Sequence, residues 1–381
     1  MRILHTSDWH LGRILHEHSL LVDQERYLGD LLDHLRESRY DALVVAGDVF
    51  DRSIPSEEAV DLWNDFLEEF ATACPETSLL AIAGNHDSAT RLALASRIIE
   101  RSGIHIRGGV DRIEDPVTVS DADGVVVRVW MLPFLWAGTL IQDREDGRWA
   151  LQTQEEALAE AVRRIQAKVD PRELNVLLAH CFAKGGQATD SERTLVGPAV
   201  QVDPGLFRGF DYVALGHLHR AQALGPKIRY SGSPLPYSFS ESGHAKAMMA
   251  VTLRKGIDPI VEAVPVTPLR PMKDLRASLE ELLSDPRFAG LEDSYIRVTL
   301  TQPSGIGQPV ARLRLRFPLL LEFLEYSSPQ TGLEDALLQT RHEDLLDEFQ
   351  AFERRLRGGS RVSEELLAAF TELRGGMESA R

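Results

Sequence analysis

The chain has 381 residues, 43% of them hydrophobic and 26% charged, with two cysteines and a formal net charge of −16. That length allows one large core plus one or two smaller units, the balance excludes a disordered chain, and two cysteines exclude a disulfide framework and fit a reducing compartment. The acidic excess excludes a protein that coats nucleic acid with its own cations, but not one that holds phosphates through metal ions, because carboxylates gathered around a divalent cation are neutralised by it.

Taken in chain order, residues 2–7, 42–47, 79–84, 174–180 and 212–216 are short Val, Ile and Leu runs ending in Gly, Asp, Asn or His, and they are predicted as buried strands. Helical spacing marks 20–35, 59–70 behind an acidic turn opened by Ser56, 89–99 and 155–169. This alternation predicts an α/β layered domain. A further β group at 125–132, 228–231, 248–253 and 260–266 suggests a second sheet packed on the first, and 184–205 is expected to be a long surface loop. Pro265, Pro268 and Pro271 mark a boundary. Beyond it a helix is expected at 274–283, a strand at 294–300, a helix at 311–317 behind Pro309, and a strand at 319–326. The tail holds two amphipathic helical patterns, 342–356 and 364–373, the second with Ser363 as its cap. Asp8 follows the start too closely for a secretory leader, and no apolar run has the length of a membrane span, so a cytoplasmic, non-membrane protein is expected.

Each of the five strand ends carries groups that bind metal. They are Asp8 and His10 in "HTSDWHLG", Asp48 in "AGDVFD", Asn85 and His86 in "AGNHD", His180 in "LLAH", and His217 and His219 in "ALGHLH". In extended chain, residues i and i+2 point to one side, so Asp8 with His10 and His217 with His219 can act as pairs. One such residue alone is more often a turn or a structural histidine; five successive strand ends require all those independent explanations to hold together. Carboxylate, imidazole and amide oxygen suit manganese, iron or zinc, and the lack of thiolates argues against a structural zinc site. So many ligands call for two ions, a recurrent device for phosphoester hydrolysis. His5, His16, His18, His34, His105, His244 and His342 lack such partners and are expected to be structural or exposed, while Cys74 and Cys181 are expected to be buried packing residues.

"DWHLG", "GDVFD", "GNHD", the lone His180 and "GHLH", in that order, resemble the calcineurin-like metallophosphoesterases. Within that superfamily "DSERTLVG" and "YSGSPLPYSFSE" are similar to the SbcD family of bacterial nuclease subunits, relatives of the eukaryotic and archaeal double-strand-break repair nucleases. The resemblance implies an αββα sandwich core over 1–268, a small α+β cap that shapes a DNA cleft over 269–330, and a helical tail over 331–381. It implies one metal held by Asp8, His10, Asp48 and His219 and a second held by Asp48, Asn85, His180 and His217, with Asp48 bridging and His86 as the acid or electrostatic catalyst. It further implies manganese as the metal, DNA as substrate, a homodimer, and an SbcC-like SMC-family ATPase docked on the tail helices. The expected activity is double-strand exonuclease and single-strand or hairpin endonuclease cleavage in DNA repair, recombination and replication. Eukaryotic and archaeal relatives have a second histidine where this chain has Asp51, which leaves the role of that position open. Arg13, Arg52, Arg91, Lys184, Arg193 and Arg220 flank the motifs and could position a phosphate backbone. The rivals are a small-substrate phosphatase or cyclic-nucleotide phosphodiesterase of the same superfamily and a noncatalytic scaffold, the latter disfavoured because a scaffold has no chemical need for every ligand.

Overall fold

A computed structural model describes residues 1–144, 147–192, 201–305 and 307–326. The helices expected at 342–356 and 364–373, and part of the expected loop, 193–200, lie outside the described residues. Residues Met1–Leu324 form one compact unit.

Two six-stranded sheets stack face to face. The first runs in the order Ile257–Val266, Lys246–Arg254, Arg2–Thr6, Ala42–Val45, Ser78–Ile82, Ile104–Arg107, and its last four strands are parallel. The second has Tyr212–Gly216, Leu174–His180 and Val126–Leu132 at its centre, parallel to one another. These strands are apolar along their whole length because both faces are covered. Alternate side chains divide between layers. Ile3, Val44 and Ile82 meet Val129, Val176 and Leu178 between the sheets. Leu4, Leu43, Val45 and Leu79 turn outward to the helices Leu21–Glu37 and Glu57–Ala73, which supply Leu28, Leu31, Trp63, Phe66 and Phe70. On the opposite side Leu177 and Val213 meet Ala157, Leu158, Ala161 and Ile165 of the helix Gln154–Gln166. The result is the expected αββα sandwich.

Several expectations change. The two sheets exist, but not with the expected membership: Lys246–Arg254 and Ile257–Val266 extend the first sheet, whereas Leu174–His180 and Tyr212–Gly216 belong to the second. Local apolar pattern is the same for a buried strand of either sheet, so it cannot assign one. The single helix expected at 89–99 is two short ones, Ala89–Leu92 and Ser96–Ile99, parted where Ala95 takes a left-handed φ of 57°. The helix expected at 274–283 is a strand, Met272–Ala277, followed by a helix limited to Leu279–Ser284. Ser278 accounts for the later start, since its hydroxyl accepts from Glu281 N while Glu281 returns to the Ser278 backbone in a capping box. The loop at 184–205 is not wholly a surface feature, because Thr189 and Glu192 are buried. The helix Pro309–Arg316 forms as expected.

Met272–Ala277, Tyr295–Leu300 and Leu320–Leu324 make a small parallel sheet. It is joined to the sandwich by an apolar cluster of Leu15, Leu20, Tyr237, Phe239, Met272 and Tyr295. Beside the cluster, buried Asp23 accepts from Arg270 at 2.6 Å and from the Tyr295 hydroxyl at 2.7 Å.

Candidate metal centre

The parallel strands of both sheets end at one edge of the sandwich, where open α/β sheets bind ligands. From the first sheet come Asp8 and His10 after Arg2–Thr6, Asp48 after Ala42–Val45, and Asn85 with His86 after Ser78–Ile82. The second delivers His180 as the last residue of Leu174–His180, and His217 and His219 after Tyr212–Gly216. All eight side chains singled out in the sequence meet there.

They gather on both sides of Asp48. On one side His10 Nε2 and His219 Nε2 face each other at 3.1 Å, and His10 Nε2 lies 3.7 Å from Asp48 Oδ2. On the other, Asn85 Oδ1 lies 3.0 Å from His180 Nε2 and 2.9 Å from His217 Nδ1, while His180 Nε2 is 3.4 Å from the same Asp48 oxygen. Ligand atoms held about 2.1 Å from one cation are themselves about 3 Å apart, which is the spacing seen on each side. Asp8, His10 and His219 can share an ion, as can Asp8, Asp48 and His180, so Asp8 reaches toward both sides. His86 joins His10 and Asp48 in a third possible set. Its Nδ1 is 2.9 Å from the Asp51 carbonyl, which can only accept, so this nitrogen carries a proton and Nε2 is the working atom.

Electrostatics suit divalent cations. Burial drives His10 and His217 down to about 3, leaving both imidazoles neutral as ligation requires. For Asp48, burial acts to raise the pKa, but the neighbouring His180 and His10 outweigh it and hold the carboxyl well below its usual range. His180 is lifted to about 9 because Asp48 overcomes the opposing effect of burial. Asp8 is raised by burial despite His180 and His219. His217 Nε2 is buried without a hydrogen-bond partner. This oxygen and nitrogen donor set, mostly buried and without thiolates, fits divalent metal ions.

The backbone is bent to make this edge. Asp8, His10, Asp48 and His217 have φ of 55°, 47°, 52° and 103°, left-handed values that glycine normally supplies. Each such residue costs on the order of 1–3 kcal/mol, and glycine could not replace them because the side chains themselves are needed. The neighbouring glycines answer a different demand. A Cβ on Gly84 would stand 2.1 Å from Asp48 Oδ1, and one on Gly47, itself at φ +93°, would stand 2.3 Å from His180 Nδ1.

Sequence reasoning missed the groups that hold the edge in place. Asp87 accepts from the backbone amides of Val49, Phe50 and Gly84, tying the Asp48 and Asn85 loops together. Burial is the main reason its pKa rises to about 6. Asp51 accepts from Arg13 at 2.9 Å and lies 3.4 Å from His10 Nδ1. Ser191, Glu192, Glu241 and Lys246 surround His219. The "DSER" and "SFSE" stretches did stand out as family-like, but nothing local tied them to His219. Cys181 is buried, which pushes its thiol up to about 12, so it is a packing residue beside His180 and not a nucleophile. Of the flanking cations, Arg91 donates to the Ser53 carbonyl, Lys184 to Glu155 and Arg220 to Gln187; Arg193 lies outside the described residues.

Comparison with known proteins adds sequence relatives. A family model described as calcineurin-like phosphoesterase matches residues 1–221. A Staphylococcus epidermidis protein, named as the SbcD component of the SbcCD nuclease, is 33% identical over 323 residues, which is 84% of each chain. Among solved structures, a Thermus thermophilus protein aligns with a TM-score of 0.41 at 11% identity, covering 70% of this chain and 99% of its own. A dimetal phosphatase from Danio rerio aligns with a TM-score of 0.40 at 13% identity, with the same coverages.

Proposed function

The chain belongs to the calcineurin-like phosphoesterase family, and from that membership we propose that it is a metal-dependent DNA nuclease subunit of the SbcD type. The observation that carries the reading is Asp48 Oδ2 set within 3.7 Å of imidazole nitrogens from both sheets, each imidazole standing beside further ligand atoms. In this reading Asp48 would serve both ions, with Asp8, His10 and His219 holding one and Asn85, His180 and His217 the other. When bound, such a pair supplies Lewis acidity that neutralises phosphate oxygens and acidifies water. His86, with Nδ1 anchored on the Asp51 carbonyl, turns Nε2 to the reacting phosphate and donates a proton or positive charge to the departing oxygen. The Phe134 ring lies 6.0 Å from that of His180.

DNA as substrate and an SbcC-like SMC-family ATPase as partner are supported by the 33% identical nuclease component, which spans most of both chains. We assign 1–268 to the nuclease domain, 269–330 to a cap shaping the DNA cleft, and 331–381 to the tail that docks the ATPase. The cap assignment is supported by the His18 ring against Tyr295 at 5.2 Å, because His18 belongs to the hairpin that leaves the His10 loop. Manganese, homodimerisation, a cytoplasmic location, and double-strand exonuclease with single-strand or hairpin endonuclease cleavage in DNA repair and recombination complete the proposal. Among the described residues no helix is long and apolar enough to cross a membrane.

The test is manganese-dependent cleavage of duplex, hairpin and single-stranded DNA, with and without the ATPase, beside a phosphomonoester control. Cleavage of DNA in preference to the monoester is expected. Turnover of the monoester alone would make the chain a phosphatase.

A further inference from the structure

His219 is held on three sides by groups that are costly to bury. Glu192, Glu241 and Lys246 are only 3%, 1% and 5% exposed. Glu192 accepts from the His219 backbone amide, and Lys246 Nζ donates to the His219 carbonyl at 3.2 Å. Ser191 Oγ stands 2.8 Å from His219 Nδ1 and 2.8 Å from Glu241 Oε1. Glu241 is paired through its other oxygen with Lys246 at 2.5 Å, so it is ionised and can only accept. A hydroxyl has one proton. Ser191 commits it to the carboxylates, either directly to Glu241 or through Thr189 Oγ1 at 2.8 Å, which itself donates to Glu192 at 2.5 Å. Ser191 is therefore left to accept from His219 Nδ1–H, and that leaves the lone pair on Nε2, the atom facing His10.

A buried ion pair is a poor source of stability, since apolar residues of the same volume often do as well. Here the pair has another use. Glu241 lies in the turn Phe239–Glu241, Lys246 begins a strand of the first sheet, and His219 follows a strand of the second. The charges thus tie one sheet's ligand to the other sheet's edge. His180 has its Nδ1 fixed as a donor by a single backbone acceptor, the Ala46 carbonyl at 2.7 Å.

We propose that Ser191, Glu192, Glu241 and Lys246 form a bracket that fixes the tautomer and position of His219, and so act as positioning residues for the cation site made with Asp8 and His10. This rests on the two-ion reading above. The bracket also gives the "DSE" part of the 184–205 loop a role, because Ser191 and Glu192 anchor it on His219.

The experiment compares the full chain with Ser191→Ala, Glu241→Gln and Ser191→Thr, using manganese alone as the probe. Calorimetric titration is expected to show two ions bound to the parent. In Ser191→Ala and Glu241→Gln one of them weakens by about 10- to 100-fold, the usual cost of losing a group behind a ligand, while the other is unchanged; Ser191→Thr restores it. Nitrogen-15 spectra of the metal-free protein, recorded at alkaline pH where the ring is neutral and with the His219 signal identified by its loss in His219→Gln, are expected to show Nδ1–H in the parent and a shift toward Nε2–H in Ser191→Ala. An Nε2–H tautomer in the parent, or two unaltered affinities in both bracket variants, overturns the proposal. A parent that binds fewer than two ions overturns the two-ion reading instead, and the metal-free tautomer still decides the bracket. Should Glu241→Gln fail to fold, Ser191→Ala, which removes one hydroxyl from a half-buried position, carries the test.

Discussion

Gly84 turns the geometry of the metal edge into a measurement. Replacing it with alanine places a Cβ 2.1 Å from Asp48 Oδ1, 2.4 Å from Asp48 N and 2.7 Å from Asp48 Cγ. The first of these is about 1.3 Å inside the 3.4 Å at which ordinary contact begins. Two of the three atoms belong to a carboxylate fixed by the His86 amide at 2.9 Å and by its place between imidazoles, so the side chain cannot yield without leaving that place. Overpacking of this kind costs about 1–3 kcal/mol. With unfolding entropy of about 2.1 cal/mol/K per residue over a unit of this size, that is a fall in Tm of roughly 1.5–4.5 °C. Function suffers more, since a displacement of about 1 Å at a reacting centre costs on the order of 100-fold. Gly29→Ala is the control. It lies within the helix Leu21–Glu37 with nothing within 4 Å of its added Cβ, so it should stabilise by about 0.5–1 kcal/mol. Thermal unfolding and manganese titration of both variants check the pair. Gly84→Ala with two ions bound at parental affinity and an unchanged Tm would refute the claim that Asp48 cannot yield to a side chain at position 84 without leaving its place.

Further outcomes follow from the same edge. His86→Gln is expected to lower DNA cleavage by about 10²- to 10⁴-fold with both manganese ions retained; loss of metal together with activity would make His86 a ligand, as its proximity to His10 and Asp48 allows. In the metal-free protein His180 is lifted to about 9, above its unfolded value of about 6.5. Its contribution to stability is thus complete below about pH 6.5 and is lost as pH rises through about 9. Manganese must displace that proton, so binding at pH 7.5 should release about one proton from His180, read by calorimetry in buffers of differing ionisation enthalpy; no release would place His180 outside the ligand set. Truncation after Gly332 is expected to spare metal-dependent cleavage and eliminate co-purification with the ATPase, and collapse of the whole fold would count against a separate tail.

The gathering of these side chains was largely legible along the chain because the candidate ligands sit at the ends of apolar runs, and both the runs and the ends are local features. Asp8, Asp48, Asn85, His180, His217 and His219 each follow or close a strand, and parallel strands bring such ends to one edge whatever the order of the strands between them. Ser191 and Glu241 were not legible in that way. Each is a polar residue in an irregular segment, and its role exists only through contacts 28 and 22 positions away at His219.

The sequence by itself determined the kind of most elements, 272–277 excepted, the both-sided burial of the strands and the chemistry of the candidate ligands, since these depend on side-chain period and on chemistry that each residue carries with it. Tertiary structure alone decided which sheet each strand joined, that 272–277 is a strand and where it pairs, which ring nitrogen of His219 faces inward, and why a side chain at Gly84 would press on Asp48. Strand pairing, close approach and hydrogen-bond direction are relations between distant segments, and a local pattern is the same for many such partners.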